Sequence, residues 1–402
     1  MNRAPSFPPM IFPAPTFHRQ TAAQRRRFRP AAPAPARWPV AILGVPFDSV
    51  TIDSAIARIA DMIASRRPAY VVTPNVDFLV QARRDAELRR ILLEAHLVLC
   101  DGQPLVWASR WLGNPLPERV AGADLVPRFI ALAAQRGFRL FLLGATPEAN
   151  SRAVARLQER HPGLVVAGHY SPPFRSLEEM DNAEIVRRIQ AARPDVVLVS
   201  FGCPKQEKWI ARNYGSLGVP VCIGVGATID FLAGQVRRAP RWMQRSGLEW
   251  IYRLAQEPRR LFRRYAVDLR IFSEAIFAQW WRMHRWGKPG ASAVSDAITW
   301  SGPRWQVARV TGHLDRPAIE RAADAWREIG DRQHDCLLDL AEVDFIDSTG
   351  AALLVARQKQ QHQAGRRLVL FRPSEPVRRS LGRMNLLSFL ELAESTPVRD
   401  AA

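Results

Sequence analysis

Nowhere in its 402 residues does the chain carry an apolar run near the roughly 18 residues that a membrane-spanning helix needs. The N-terminus also lacks a signal-like apolar block, so the chain is expected to stay inside the cell. Cysteine is scarce. Cys100, Cys203, Cys222 and Cys336 show no metal-ligand spacing and mostly fall in apolar strand contexts, as reduced, buried cytosolic thiols would. Acidic residues are outnumbered 38 to 57 by Lys and Arg, leaving a formal charge of +19. Such a surplus calls for an acidic partner, and nucleic acid, anionic lipid or a nucleotide diphosphate would all qualify. No nucleic-acid recognition motif accompanies the charge, which excludes nucleic acid as the expected partner.

What is present is 47% hydrophobic, enough for a full core, and long enough for two domains. Residues 1–40 hold seven arginines, nine prolines and no acid, and read as a disordered basic tail. The tail either touches anionic lipid or is an overextended start of the reading frame. From residue 41 to 236 strands alternate with helices, predicting a Rossmann-like parallel sheet covered on both faces: an α/β fold. Strands are expected at Ala41–Val45, Ala69–Thr73, His96–Cys100, Arg139–Leu143, Leu164–Gly168, Val196–Ser200 and Val219–Gly224. Residues 237–286 form an appendage. Between Arg237 and Arg285 twelve arginines face four acids, interleaved with nine aromatics at helical spacing. These are amphipathic helices, either docked on the sheet with a solvated basic face or lying on a membrane surface. A small-residue linker at 287–298 precedes a second, small α/β unit at 299–395, expected to fold independently on its tether.

Ligands of parallel sheets bind where strands end. Thr73-Pro74-Asn75 and Asp101-Gly102 follow two strands and should share one sheet edge. Asp101, directly after an apolar strand, is placed to act as a base with a raised pKa. The same Asp-Gly pair could instead simply make a turn and cap the next helix. Arg119 sits in a short polar segment, and an arginine fork suits phosphate oxygens. Lys205 and Gln206 open a helix after Val196–Ser200, and the glycines of Gly224-Val225-Gly226 let backbone N–H groups approach a phosphate-like oxygen. There is no Asp-x-Asp triplet and no Walker loop. A departing diphosphate would then be met by arginines and backbone N–H groups.

Thr73-Pro74-Asn75, Asp101-Gly102, Glu118–Leu125, Phe141–Gly144, Pro204–Trp209 and Arg238–Arg245 with Gly247–Trp250 together resemble the WecG/TagA/CpsF glycosyltransferases, from about Ile42 to Arg264. The resemblance implies transfer of a sugar from a UDP-sugar to a polyprenyl-diphosphate-linked saccharide at the inner face of the cytoplasmic membrane. It implies no cofactor and no required metal. Asp101 then matches the general base, Thr73 and Asn75 the substrate pocket, and Arg119 and Gln206 active-site polar contacts. Arg253, Arg260 and Arg263 match arginines that close over the diphosphate, with Arg259 and Arg264 as neighbouring alternatives. The competing reading is a non-catalytic membrane scaffold recruiting a partner.

The C-terminal unit resembles a STAS domain, through Cys336–Leu340 and Asp344-Phe345-Ile346-Asp347-Ser348-Thr349-Gly350. The resemblance implies a protein partner and, at Ser348, a phosphorylation site. Asp347 or Ser348 could equally be a plain helix cap.

Overall fold

A computed structural model of the chain describes residues 37–235, 239–240, 242–243, 247–256, 258–286, 298–300, 305–331 and 334–394. The basic tail up to residue 36, the linker at 287–297 and the side chain of Arg260 lie outside the described residues.

The chain enters through a hairpin, β1 (Val40–Ile42) and β2 (Val45–Phe47), where one strand was expected. Leu43 and Gly44 both adopt positive φ, 49° and 82°, which reverses the chain in two residues. Only glycine fits at 44, since a Cβ there would strike the Met384 carbonyl of the C-terminal unit.

The main sheet has six parallel strands in the order β4 (Leu97–Val98), β3 (Ala69–Val72), β8 (Val221–Gly224), β7 (Val196–Ser200), β5 (Arg139–Gly144), β6 (Val165–Tyr170). Its inner strands are apolar and buried on both faces because helices cover both, while the edge strand β6 is partly exposed. The Lys205–Asn213 helix lies where the sequence predicts it. β8 and β7 end side by side, and β3 and β4 end beside them, so four strand termini share one edge.

The appendage is helical, comprising Glu249–Gln256 and a 29-residue helix, Pro258–Trp286. The long helix buries Phe272 and Ile276 in the core beside the six-stranded sheet and leaves Phe262, Leu269, Phe277 and Trp281 exposed. No described helix is long and apolar enough to cross a membrane.

The C-terminal unit is a five-stranded sheet, ordered β13 (Glu391–Ala393), β12 (Leu368–Phe371), β11 (Asp335–Ile346), β10 (Trp305–Leu314), β9 (Ile298–Trp300). Only β9 runs antiparallel. The helix expected over Arg316–Gly330 is interrupted at Ala322.

This unit is not held at arm's length, as the tether suggested. Trp38, Ala41 and Leu93 share one apolar cluster with Leu314, Leu353 and Leu354. Lys359 donates to the Ala95 carbonyl at 2.7 Å. Gln279 of the long helix joins three segments: its oxygen accepts from Leu43 N–H (2.9 Å), and its amide nitrogen donates to Ala41 O and to Ser348 Oγ, both at 2.8 Å. Residues 38–394 thus make one compact unit wherever they are described.

Candidate active site

The shared edge is assembled by backbone hydrogen bonds between loops. Asp101 N–H donates to Pro74 O (3.1 Å), tying the loop after β4 to the loop after β3. Val120 N–H donates to Cys100 O (2.8 Å), which brings Arg119 alongside. Asn75 caps the Val76–Ala82 helix through its Oδ1. The helix Gln103–Trp111 is capped by Gly102 without a side-chain bond, so the Asp101 carboxylate is not used as a cap.

Arg119 is the centre of an ion-pair group. Its Nη2 lies 2.6 Å from Asp124 Oδ2; its Nη1 lies 3.1 Å from Glu249 Oε2 and 3.9 Å from Asp101 Oδ1. Arg253 approaches Glu249 from one helical turn away, at 3.5 Å. Burial pushes the Asp101 carboxyl up to about 6, against the pull of Arg119 and Arg253 and with help from Glu249 and Asp124. Its side chain nevertheless keeps 29% exposure. A carboxylate that is accessible, desolvated and flanked by two arginines can take a proton next to a group that is gaining negative charge.

Beside it the glycine turn is held from within. Gln206 Oε1 accepts from Gly226 N–H (3.1 Å), Gln206 Nε2 donates to Glu207 Oε1 (2.6 Å), and Thr73 Oγ1 donates to Gly224 O (3.2 Å). A Cβ on Gly224 would stand 3.0 Å from Gln206 Nε2 and 3.1 Å from Glu207 Oε1, so any larger residue there must push these two side chains aside. Glu207 is fully buried, and burial pushes its carboxyl up to about 8. It is a neutral acid at pH 7.

The structure therefore brings together Thr73, Asn75, Asp101, Arg119, Gln206 and Arg253, though Thr73 and Gln206 are buried and act on the turn's backbone. Lys205 is engaged elsewhere, by the Arg175 carbonyl and over the rings of Phe174 and Phe201. Arg263 is exposed, while its neighbour Arg264 pairs with Asp77 at 2.6 Å, two residues beyond Asn75. Glu249 and Glu207 are the residues that sequence reasoning left without a role, and Arg264, an alternative to Arg263 in sequence, is the one that turns to the site's helix. Among the described residues no group of three His, Cys, Asp or Glu side chains is placed to hold a metal ion. Ser348 is fully buried, its hydroxyl donating to Met283 Sδ (3.2 Å) while accepting from Gln279, so in this arrangement no modifying enzyme reaches it. Asp347 is the helix cap.

A six-stranded parallel sheet with a raised carboxylate and arginines at its strand ends places this part of the chain in the α/β class. More specifically, residues 40–286 match the model of the glycosyl transferase WecG/TagA/CpsF family, and the chain belongs to that family. Residues 303–398 match the STAS domain model. Among similar proteins are the N-acetylglucosaminyldiphosphoundecaprenol N-acetyl-beta-D-mannosaminyltransferases of Staphylococcus aureus strains MRSA252 and MW2. Each is 30% identical over 238 residues, 59% of this chain and 92% of the relative. A solved structure of the unphosphorylated anti-sigma factor antagonist SpoIIAA matches 26% of this chain and 92% of its own, at 23% identity and TM-score 0.23.

Proposed function

We propose that this chain transfers a sugar from a UDP-sugar to a polyprenyl-diphosphate-linked saccharide, with inversion and without a required metal, at the inner face of the cytoplasmic membrane. The observation that carries the reading is the Asp101 carboxyl, raised to about 6 and set among arginines at the shared strand edge. Names of the relatives support the acceptor class, since those enzymes act on a diphosphoundecaprenol-linked sugar. Asp101 removes the proton from the acceptor hydroxyl as its oxygen bonds to the anomeric carbon and the bond to UDP breaks. Arg119 and Arg253 offset the charge that develops on the diphosphate, while the glycine turn, whose Gly226 N–H is taken by Gln206 and whose Val225 N–H is taken by Val199, shapes the pocket instead of donating to the ligand.

The test is a panel of UDP-sugars with a short-chain polyprenyl-diphosphate N-acetylglucosamine, with and without EDTA, following UDP release and the anomeric configuration of the product. Transfer by the wild type and its loss in Asp101→Asn is the expected result. No transfer from any donor would remove the reading and favour a scaffold.

A further inference from the structure

Where the long helix meets the C-terminal unit, a cavity of about 310 Å³ opens beneath the β1–β2 hairpin. That is the lower end of the size range of small-molecule sites and more than one inorganic phosphate fills. Its polar lining is dominated by one sign. Arg83 and Arg89 come from the transferase side, Arg282 from the long helix, and Arg379 and Arg383 from the helix Glu375–Arg383, against the single acid Asp344. Arg379 is paired with Glu375 at 2.7 Å. Arg83, Arg89, Arg282 and Arg383 form no ion pair among the described residues. Arg89 donates through Nη2 to the Met384 carbonyl, yet its buried Nε has no partner. Burial, and Arg83 nearby, hold the Arg89 pKa below its usual value. Arg83, Arg282 and Arg383 are exposed, so their charge is open to a ligand, and the unpartnered buried N–H of Arg89 is costly without one.

We propose that this cavity binds a small phosphorylated organic anion of nucleotide size, whose phosphates pair with Arg89, Arg282 and Arg383 and whose apolar part packs on Leu43, Phe345 and Ile346. Arginine forks match phosphate oxygens, and the apolar remainder of the lining fits a ring rather than more charge. A bilayer headgroup carries the same phosphate chemistry, but the helix geometry disfavours it. Ala275, Ala278, Gln279 and Arg282 turn to the cavity, while the exposed Phe277 and Trp281 lie on the opposite side of the same helix. None of the lining residues belongs to the Asp101 site, and Arg83 stands at the far end of the helix that Asn75 caps, about 12 Å along its axis.

The full chain is titrated calorimetrically at physiological salt with ADP and with inorganic diphosphate, and separately sedimented with phosphatidylglycerol vesicles. ADP is expected to bind saturably, and Arg282→Glu with Arg383→Glu to weaken it about tenfold or more, the loss expected for charge-assisted hydrogen bonds. Arg83→Gln, which removes a charge at an exposed position, should weaken it in the same direction, with thermal unfolding confirming that each variant is folded. Equal binding by wild type and variants, or no saturable binding of either anion, overturns the proposal. So does a result in which only vesicle binding depends on these arginines. The substituted arginines lie outside the Asp101 site, so a loss of binding on substitution reports this cavity and is independent of the transferase reaction.

Discussion

Asp101 can act as a base only after it has lost its proton, and its carboxyl is held at about 6 by burial. The rate of sugar transfer should therefore fall as pH drops below about 6, tenfold per unit once the protonated form dominates. Asp101→Asn should lower turnover about 100 to 10,000-fold and abolish that acid limb while UDP binding persists. A variant within a few-fold of wild type would take Asp101 out of the mechanism. Glu207 gives the opposite kind of pH dependence, one of stability. Its folded-state pKa, about 8, lies above its ordinary 4.5. Below 4.5 both states are protonated and nothing is lost; between 4.5 and 8 the unfolded chain gives up the proton and the fold does not, so stability declines as pH rises through that window. The slope for one group is at most about 1.4 kcal/mol per pH unit. Glu207→Gln keeps the acceptor for Gln206 and removes the titration, so denaturant unfolding at pH 8 should show it at least as stable as wild type. A destabilised variant would mean that Glu207 is ionised in place.

The long helix Pro258–Trp286 divides its work by face. Phe272, Ile276 and Gln279 dock it, and Phe277 with Trp281, stacked at 6.1 Å between ring centroids, is left to solvent. Phe277→Ser with Trp281→Ser should reduce sedimentation with anionic vesicles about tenfold or more, since each ring buries a large apolar area, and leave transfer to a water-soluble acceptor within about twofold. Unchanged vesicle binding would assign the membrane contact to another surface. Elements of this kind were legible because each announces itself locally. The run Val196–Ser200, the Gly-Cys-Pro turn and the helix Lys205–Asn213 carry period, punctuation and length together. So do Asn75, Asp101 and Arg119, each next to an apolar strand or in a short polar loop. Glu249 was not legible because its partner Arg119 is 130 positions away and its own helix reads as an ordinary amphipathic surface. Arg264 was separable from Arg263 only by the direction in which the helix faces, which Asp77 fixes.

At the scale of the whole molecule the sequence misleads at the tether, since a small-residue linker looks the same whether the units it joins are free or docked. The sign of docking is in the helix Ser348–Gln363, whose first eight residues, Ser348 to Val355, are all buried. A helix that lies on one sheet buries one stripe; one buried all round has a second neighbour, here the β1–β2 hairpin and Leu93. Two consequences follow from this docking of the C-terminal unit. Deleting residues 299–402 uncovers Ala41, Leu93 and the Ala95 carbonyl and takes the Ser348 hydroxyl from Gln279, which also anchors the long helix. The truncated chain should unfold at a clearly lower temperature than the full chain and lose transfer. Ser348→Asp puts a carboxylate where no water reaches, against a thioether and an amide, and an unpaired buried charge costs several kcal/mol unless the groups part. Limited proteolysis between residues 286 and 298 should accelerate in Ser348→Asp and not in Ser348→Ala, which loses two neutral hydrogen bonds and no charge balance. A Ser348→Asp protein that resists cleavage and melts like wild type would show that the junction tolerates the charge, and that the two units are not locked through Gln279.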